Sequence, residues 1–234
     1  MELTYSEIFY SIQGEGTLMG TPSVFFRTSG CNLRCTWCDT PFTSFDPENK
    51  KISIEDVVDK ILSFDCSHIV ITGGEPFAQP LKLQVLCTLL KSHQRHITIE
   101  TNGTIYEPVQ ADLISLSPKL SNSTPTPEQV KGRWIEKHET DRLNGVSLKA
   151  FMGGHGESDY QFKFVVSTDQ DVDEIEEIQE RLDIPDHKIY LMPEGIISKS
   201  IEEKQEWVAE VCLAKKWRYS DRLHVRIWQD RRGV

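Results

Sequence analysis

Short apolar runs alternate along this chain with longer amphipathic stretches. Residues 23–28, 68–72, 97–101, 113–117, 162–166 and 189–192 are apolar-rich runs bounded by Gly, Pro, Ser or Asn, the pattern of strands. Between them lie helical repeats. The clearest follows Ser53, a fitting N-cap, where Ile54, Val57, Val58, Ile61 and Leu62 recur on one face. Residues 81–90, 172–182 and 201–215 repeat the pattern. Strands alternating with helices predict crossover units, which place the strands parallel and curl the sheet toward a barrel. Six such units predict an α/β fold: a partial, six-stranded parallel TIM-like barrel, short of the closed ring of eight.

Two stretches fit this rhythm poorly. Residues 121–160 are rich in Ser, Thr, Pro and Gly and read as a surface excursion. Residues 223–228 fit either a seventh strand or the body of a C-terminal tail. No period of 20 to 50 residues appears, which excludes a solenoid. The 234 residues suit a single domain spanning 1–234.

Charge and composition narrow the function. With 26 Lys and Arg against 36 Asp and Glu, the net charge is −10, which argues against a nucleic-acid partner because phosphate binding needs clustered cations. The N-terminus lacks a basic region followed by an apolar run. Nothing approaches the roughly 18 apolar residues that span a bilayer, so no membrane role and a cytoplasmic location are expected. Six cysteines without a signal peptide point to metal or redox chemistry rather than disulfides.

Cys31, Cys35 and Cys38 form C-x3-C-x2-C in one loop directly after the first predicted strand. A structural zinc site takes four ligands, and no further Cys or His follows at finger-like spacing. An iron-sulfur cube also normally takes four thiolates, so three leave one iron open to a ligand. Cys66, Cys87 and Cys212 lie near helix ends or on apolar faces, where a cysteine packs as a small hydrophobe.

The loop Cys31-Asn32-Leu33-Arg34-Cys35-Thr36-Trp37-Cys38 resembles that of the radical S-adenosylmethionine superfamily. The resemblance implies a 4Fe-4S cluster on Cys31, Cys35 and Cys38, whose open iron chelates S-adenosylmethionine and yields a 5′-deoxyadenosyl radical. It also implies the barrel of the radical SAM type. Thr72-Gly73-Gly74-Glu75-Pro76 is similar to that superfamily's glycine-rich turn, where Glu75 would offset the methionine ammonium. Residues 101–103, 117–119, 167–168 and 192–195 follow other strands and are expected at the same mouth.

Within the superfamily, the stretch from Ser6 to Gly16, Arg27, Cys38-Asp39-Thr40 and the tail from Trp228 to Val234 resemble the 7-carboxy-7-deazaguanine synthases over nearly the whole chain. That implies a lyase of queuosine and 7-deazapurine biosynthesis. It would contract 6-carboxy-5,6,7,8-tetrahydropterin to 7-carboxy-7-deazaguanine with loss of ammonia. It further implies Mg2+, a homodimer, and an electron donor such as flavodoxin or ferredoxin. The residues carried over for the pterin are Ile12, Gln13, Gly14, Arg27, Thr72 and the tail at Val234, with His224 beside it. Those for S-adenosylmethionine are Trp37, Cys38, Asp39, Gly74, Glu75, Ser117, Pro118, Lys119, Met192, Pro193, Glu194 and Gly195; Thr40 is carried over for Mg2+. The alternatives are an activase that makes a glycyl radical on a protein partner, which has no use for Gln13 and Arg27, and a non-enzymatic zinc or iron-sulfur module.

Overall fold

The computed structural model describes residues 1–153 and 158–234; residues 154–157, inside the anticipated excursion, lie outside the described residues. In chain order the strands are β1 (Glu2–Ile12), β2 (Pro22–Thr28), β3 (Lys50–Ser53), β4 (His68–Gly73), β5 (His96–Thr101), β6 (Leu113–Leu116), β7 (Asp159–Val166), β8 (Ile189–Pro193) and β9 (Arg218–Tyr219). They form one sheet ordered β3-β1-β2-β4-β5-β6-β7-β8-β9. From β2 through β8 the pairs are parallel, so the six strands expected from sequence make the wall of a partial barrel. Its two edges do not meet. β1 and β3 extend one edge in antiparallel pairing and β9 extends the other in parallel.

Parallel strands covered on both faces read as unbroken apolar runs, as Ile69-Val70-Ile71 does in β4. The strands missed in sequence lack that signal. β1 is mostly half-buried, and its register shifts between Tyr5 and Glu7, which disrupts any clean alternation. Pairing with β2 holds it instead, with Phe9 stacked on Phe25 at 5.0 Å. β3 and β9 are short edge strands.

The helices are α1 (Pro41–Ser44), α2 (Ile54–Leu62), α3 (Pro80–Ser92), α4 (Arg133–Asp141), α5 (Gly145–Met152), α6 (Asp169–Leu182), α7 (Ser198–Lys215) and α8 (Leu223–Trp228). Ser53 caps α2 as its sequence suggests: its Oγ accepts from the Asp56 amide at 3.0 Å, and Ile54, Val57, Val58 and Ile61 are buried. The excursion is more ordered than its composition predicts. It carries α4 and α5, and its last residues open β7. Residues 223–228 are helical rather than a seventh strand: the Leu223 amide bonds the Gly14 carbonyl at 2.9 Å and only Val225 is buried. Among the described residues, no helix is long and apolar enough to cross a membrane.

Candidate active site

The cysteine loop begins where β2 ends and is pinned from three sides. Arg34 donates to the carbonyls of Cys31 and Leu33 at 2.9 and 2.7 Å while its guanidinium lies over the Trp134 ring at 4.1 Å. From the excursion, the Ser123 carbonyl accepts from Thr36 N–H and the Asn122 carbonyl accepts from Trp37 Nε1. His138, fully buried on α4, accepts the Arg34 amide at Nδ1 and faces Ser123 Oγ through Nε2 at 2.9 Å. Burial pushes its imidazole down to about 4, so it is neutral, and an accepting Nδ1 fixes the proton on Nε2. The segment expected to be a surface excursion is therefore the clamp of the cysteine loop.

The glycine-rich turn after β4 packs directly on this loop. A Cβ on Gly74 would stand 2.1 Å from the Gly30 carbonyl oxygen, so only glycine fits, and the Glu75 amide donates to that same carbonyl at 2.9 Å. Glu75 itself departs from the role expected of it. Its carboxylate is wholly buried and accepts from Thr101 Oγ1, the Asn102 amide and the Phe77 amide at 2.8 to 3.0 Å. It ties the turn to the end of β5 and does not line the site.

Two adjoining chambers open at the carboxyl ends of the strands. The inner, of about 160 Å³, is lined by Cys31, Cys35 and Cys38, with Trp37, Asp39, Gly74, Ser117, Lys119, Met192 and Glu194. Pro118, Pro193 and Gly195, also expected there, are not on its lining. Gly195 instead offers its carbonyl to Arg222, and residues 167–168 cap α6. The outer chamber, of about 490 Å³, is lined by Ile12, Gln13, Gly14, Arg27, Thr72, His224 and Val234, which brings together every residue expected to meet a pterin. Cys38, Asp39, Thr40 and Thr72 belong to both chambers.

Gln13 has its side chain already committed, donating to Glu100 at 3.1 Å and accepting the Glu15 amide at 3.3 Å. Arg27 has its Nε on Glu7 at 2.7 Å, and its two terminal nitrogens have no hydrogen-bond partner among the described residues.

Sequence reading missed the ion network between the chambers. Lys163, buried on β7, pairs with Glu15 and, at 3.3 Å, with Glu100; Arg222 pairs with Glu15 at 3.2 Å and with Asp39. Burial would raise the Glu15 and Asp39 carboxyls, but Lys163 and Arg222 hold Glu15 well below the usual range and Arg222 holds Asp39 low. Three carboxylates against two cations leave one formal negative charge at the junction, which suits a cationic or hydrogen-bond-donating ligand. The five residues come from five separate segments of the chain, so no single local motif contains them. The tail closes against this network: a Cβ on Gly14 would stand 2.0 Å from His224 Nδ1.

The three loop thiols are free, and burial pushes Cys31 up to about 11 and Cys35 to about 12. Such thiols need a strongly charged partner to ionise, which iron provides. Three free thiols on the wall of one chamber are the donor set of a cube that keeps one iron open to a ligand, so the residues present fit a 4Fe-4S cluster. Cys66, Cys87 and Cys212 sit in the hydrophobic core, away from both chambers. For Mg2+, Thr40 offers one hydroxyl at the shared wall, adequate for an ion that keeps waters and borrows ligand oxygens.

Residues 25–119 match the Radical SAM superfamily. The chain is 42% identical over 238 residues to a 7-carboxy-7-deazaguanine synthase of Halobacterium salinarum, covering 97% of this chain and 91% of that protein. It is 39% identical over 232 residues to one of Rhodopirellula baltica, covering 99% and 89%. QueE from Escherichia coli has the same fold, with a TM-score of 0.70, 26% identity, and coverage of 96% of this chain and 95% of that one.

Proposed function

The chain belongs to the 7-carboxy-7-deazaguanine synthases of the radical S-adenosylmethionine superfamily, and on that premise we propose how its chambers divide the work. It is a radical SAM lyase that contracts 6-carboxy-5,6,7,8-tetrahydropterin to 7-carboxy-7-deazaguanine with loss of ammonia, using a 4Fe-4S cluster, S-adenosylmethionine and Mg2+. The observation that carries this reading is the wall shared between a chamber of three free thiols and a chamber holding an arginine with an open fork.

When bound, the cluster and S-adenosylmethionine supply a 5′-deoxyadenosyl radical; the protein supplies position and shelter. Cys31, Cys35 and Cys38 hold the cluster. Trp37, Asp39, Gly74, Ser117, Lys119, Met192 and Glu194 form the pocket of S-adenosylmethionine, with Glu75, Pro118, Pro193 and Gly195 shaping its frame from behind. In the outer chamber the Arg27 fork takes the pterin carboxylate, a planar bidentate match. Ile12, Gln13, Gly14 and Thr72 border the ring, and Thr40 gives Mg2+ one oxygen. The tail, through His224 and Val234, shuts out water.

We assign the work to the whole chain, 1–234, as one unit in the cytoplasm, acting as a homodimer with a flavodoxin or ferredoxin as donor. A glycyl-radical activase is disfavoured because the outer chamber, of about 490 Å³, presents the Arg27 fork, Gln13 and Thr72 to a small carboxylate-bearing ring rather than to a protein segment. Anaerobic reconstitution followed by incubation with carboxytetrahydropterin, S-adenosylmethionine, Mg2+ and a reductant tests the reading. Chromatography is expected to yield 7-carboxy-7-deazaguanine in many turnovers per S-adenosylmethionine consumed. Radical cleavage without that product would overturn it.

A further inference from the structure

The C-terminal Arg232 reaches back across the molecule to β1. Its Nε donates to Glu7 at 2.8 Å, Nη1 and Nη2 grip Glu48 at 2.6 and 2.9 Å, and Nη2 also meets Ser6 Oγ at 3.0 Å. Its guanidinium lies 3.8 Å from the centroid of Phe42, a residue of the outer chamber. Four hydrogen bonds and a stacked ring are more than a surface arginine ordinarily holds. The Glu7 carboxylate is thereby shared: Oε2 takes Arg232 and Oε1 takes the Nε of Arg27.

We propose that Arg232 and Glu7 are positioning residues for the substrate carboxylate: by occupying one oxygen of Glu7, Arg232 keeps that carboxylate from closing on Arg27 and leaves the arginine fork open. The inference rests on the assignment of Arg27 as the carboxylate reader. Two physical terms support it. First, a carboxylate facing a lone arginine closes on it in a two-point grip. With Arg232 gone, Glu7 would turn both oxygens to Arg27 and draw the terminal nitrogens out of the chamber. Second, Arg27 and Arg232 share Glu7, while Arg232 and Lys50 share Glu48, so removing Arg232 takes one positive charge from beside Arg27 and leaves Glu7 to Arg27 alone. Glu48 is held well below the usual carboxylate range, first by its hydrogen bonds to Arg232, so the pair is ionised throughout the working range. Because Arg232 lies in the tail segment that lines the outer chamber, closing the tail and opening the fork become one event.

The test uses the reconstituted full chain with two stable probes, 6-carboxypterin and pterin, which differ only in the carboxylate. Their dissociation constants are measured for the wild type and for R232A, R232K and R27Q. R232A is expected to weaken 6-carboxypterin about tenfold, the scale of one charge-assisted hydrogen bond, and to move pterin less than about twofold. R232K, which keeps the charge without the fork, restores most of the preference, and R27Q abolishes it. In turnover R232A raises KM for carboxytetrahydropterin and leaves kcat near wild type. If R27Q abolishes the preference while R232A leaves it intact, the positioning role is overturned and the Arg27 assignment stands. If R27Q itself retains the preference, the Arg27 assignment falls and takes this inference with it. Equal weakening of both probes in R232A would overturn a carboxylate-specific role and mark Arg232 as a general tail anchor.

Discussion

Lys163→Met removes the cation at the centre of the wall between the chambers. Lys163 is only 3% exposed and serves both Glu15 and Glu100. Stripping one partner from a buried pair costs about 3–5 kcal/mol, because the remaining charge stays desolvated. Here the loss is smaller, since Glu15 keeps Arg222 at 3.2 Å and Glu100 keeps Gln13 and Thr72 at 3.1 and 3.0 Å. We expect about 2–3 kcal/mol, read as a shifted midpoint in guanidinium unfolding of the reconstituted protein under nitrogen.

The pH dependence gives an independent reading of the same network. Despite burial, Lys163 and Arg222 hold Glu15 below its ordinary 4.5, so its stabilisation is complete above that pH and is lost as pH falls below it. Lys163 is raised above its ordinary 10.5 by Glu100 and Glu15 against burial, so its share persists until pH climbs past that value. Wild-type stability from this network is therefore level between about pH 5 and 10, whereas in K163M only Arg222 and His224 remain to oppose burial, so Glu15 takes up its proton at a higher pH than in the wild type and the acid limb of the stability curve moves up. The double variant E15Q/K163M recovers part of the loss. A K163M cost below about 1 kcal/mol, or strictly additive single and double variants, would refute the reasoning.

Further outcomes follow from the same contacts. Gly74→Ala forces a Cβ to 2.1 Å from the Gly30 carbonyl oxygen, and iron and sulfide per chain are expected to fall sharply, assayed colorimetrically after reconstitution. For His138, burial lowers the imidazole from 6.5 to about 4, so the stability it contributes is present above 6.5 and is lost as pH falls toward 4, by up to about 3 kcal/mol. His138→Gln should flatten that acid limb in unfolding curves and speed bleaching of the cluster in air. Cys31→Ala, Cys35→Ala and Cys38→Ala each abolish the brown chromophore, whereas Cys66→Ala keeps it, as absorbance near 400 nm would show at roughly the position of a cubane band.

The sheet and the cysteine loop were legible in sequence because their signals are local. Ile69-Val70-Ile71 announces a strand covered on both faces, and the spacing of Cys31, Cys35 and Cys38 announces its chemistry within eight residues. Lys163, Glu100 and Arg222 carry no such signature, since each is one polar residue in a different segment, and only the curling of the sheet brings them together. The same holds for His138. It lies in a stretch whose Ser, Thr, Pro and Gly content suggests solvent, yet its ring is buried against the loop that holds the cysteines. Glu75 illustrates the converse. Its place in the Gly-Gly-Glu-Pro turn was evident, but its direction depended on three donors from β5 and the turn itself that no pattern specifies. Residues 223–228 alternate like a strand, and the contact of Leu223 with Gly14 folds them into a helix instead.

The central claim is that three thiolates leave one iron of a cube open to S-adenosylmethionine beside the pterin chamber. Mössbauer spectroscopy of protein reconstituted with 57Fe, with and without S-adenosylmethionine, reads this directly. Addition of the ligand is expected to change the isomer shift of about a quarter of the iron, the share of a single corner of a cube, and to leave the rest unmoved. A spectrum indifferent to S-adenosylmethionine, or one in which all four irons are equivalent and protein-bound, would contradict the account.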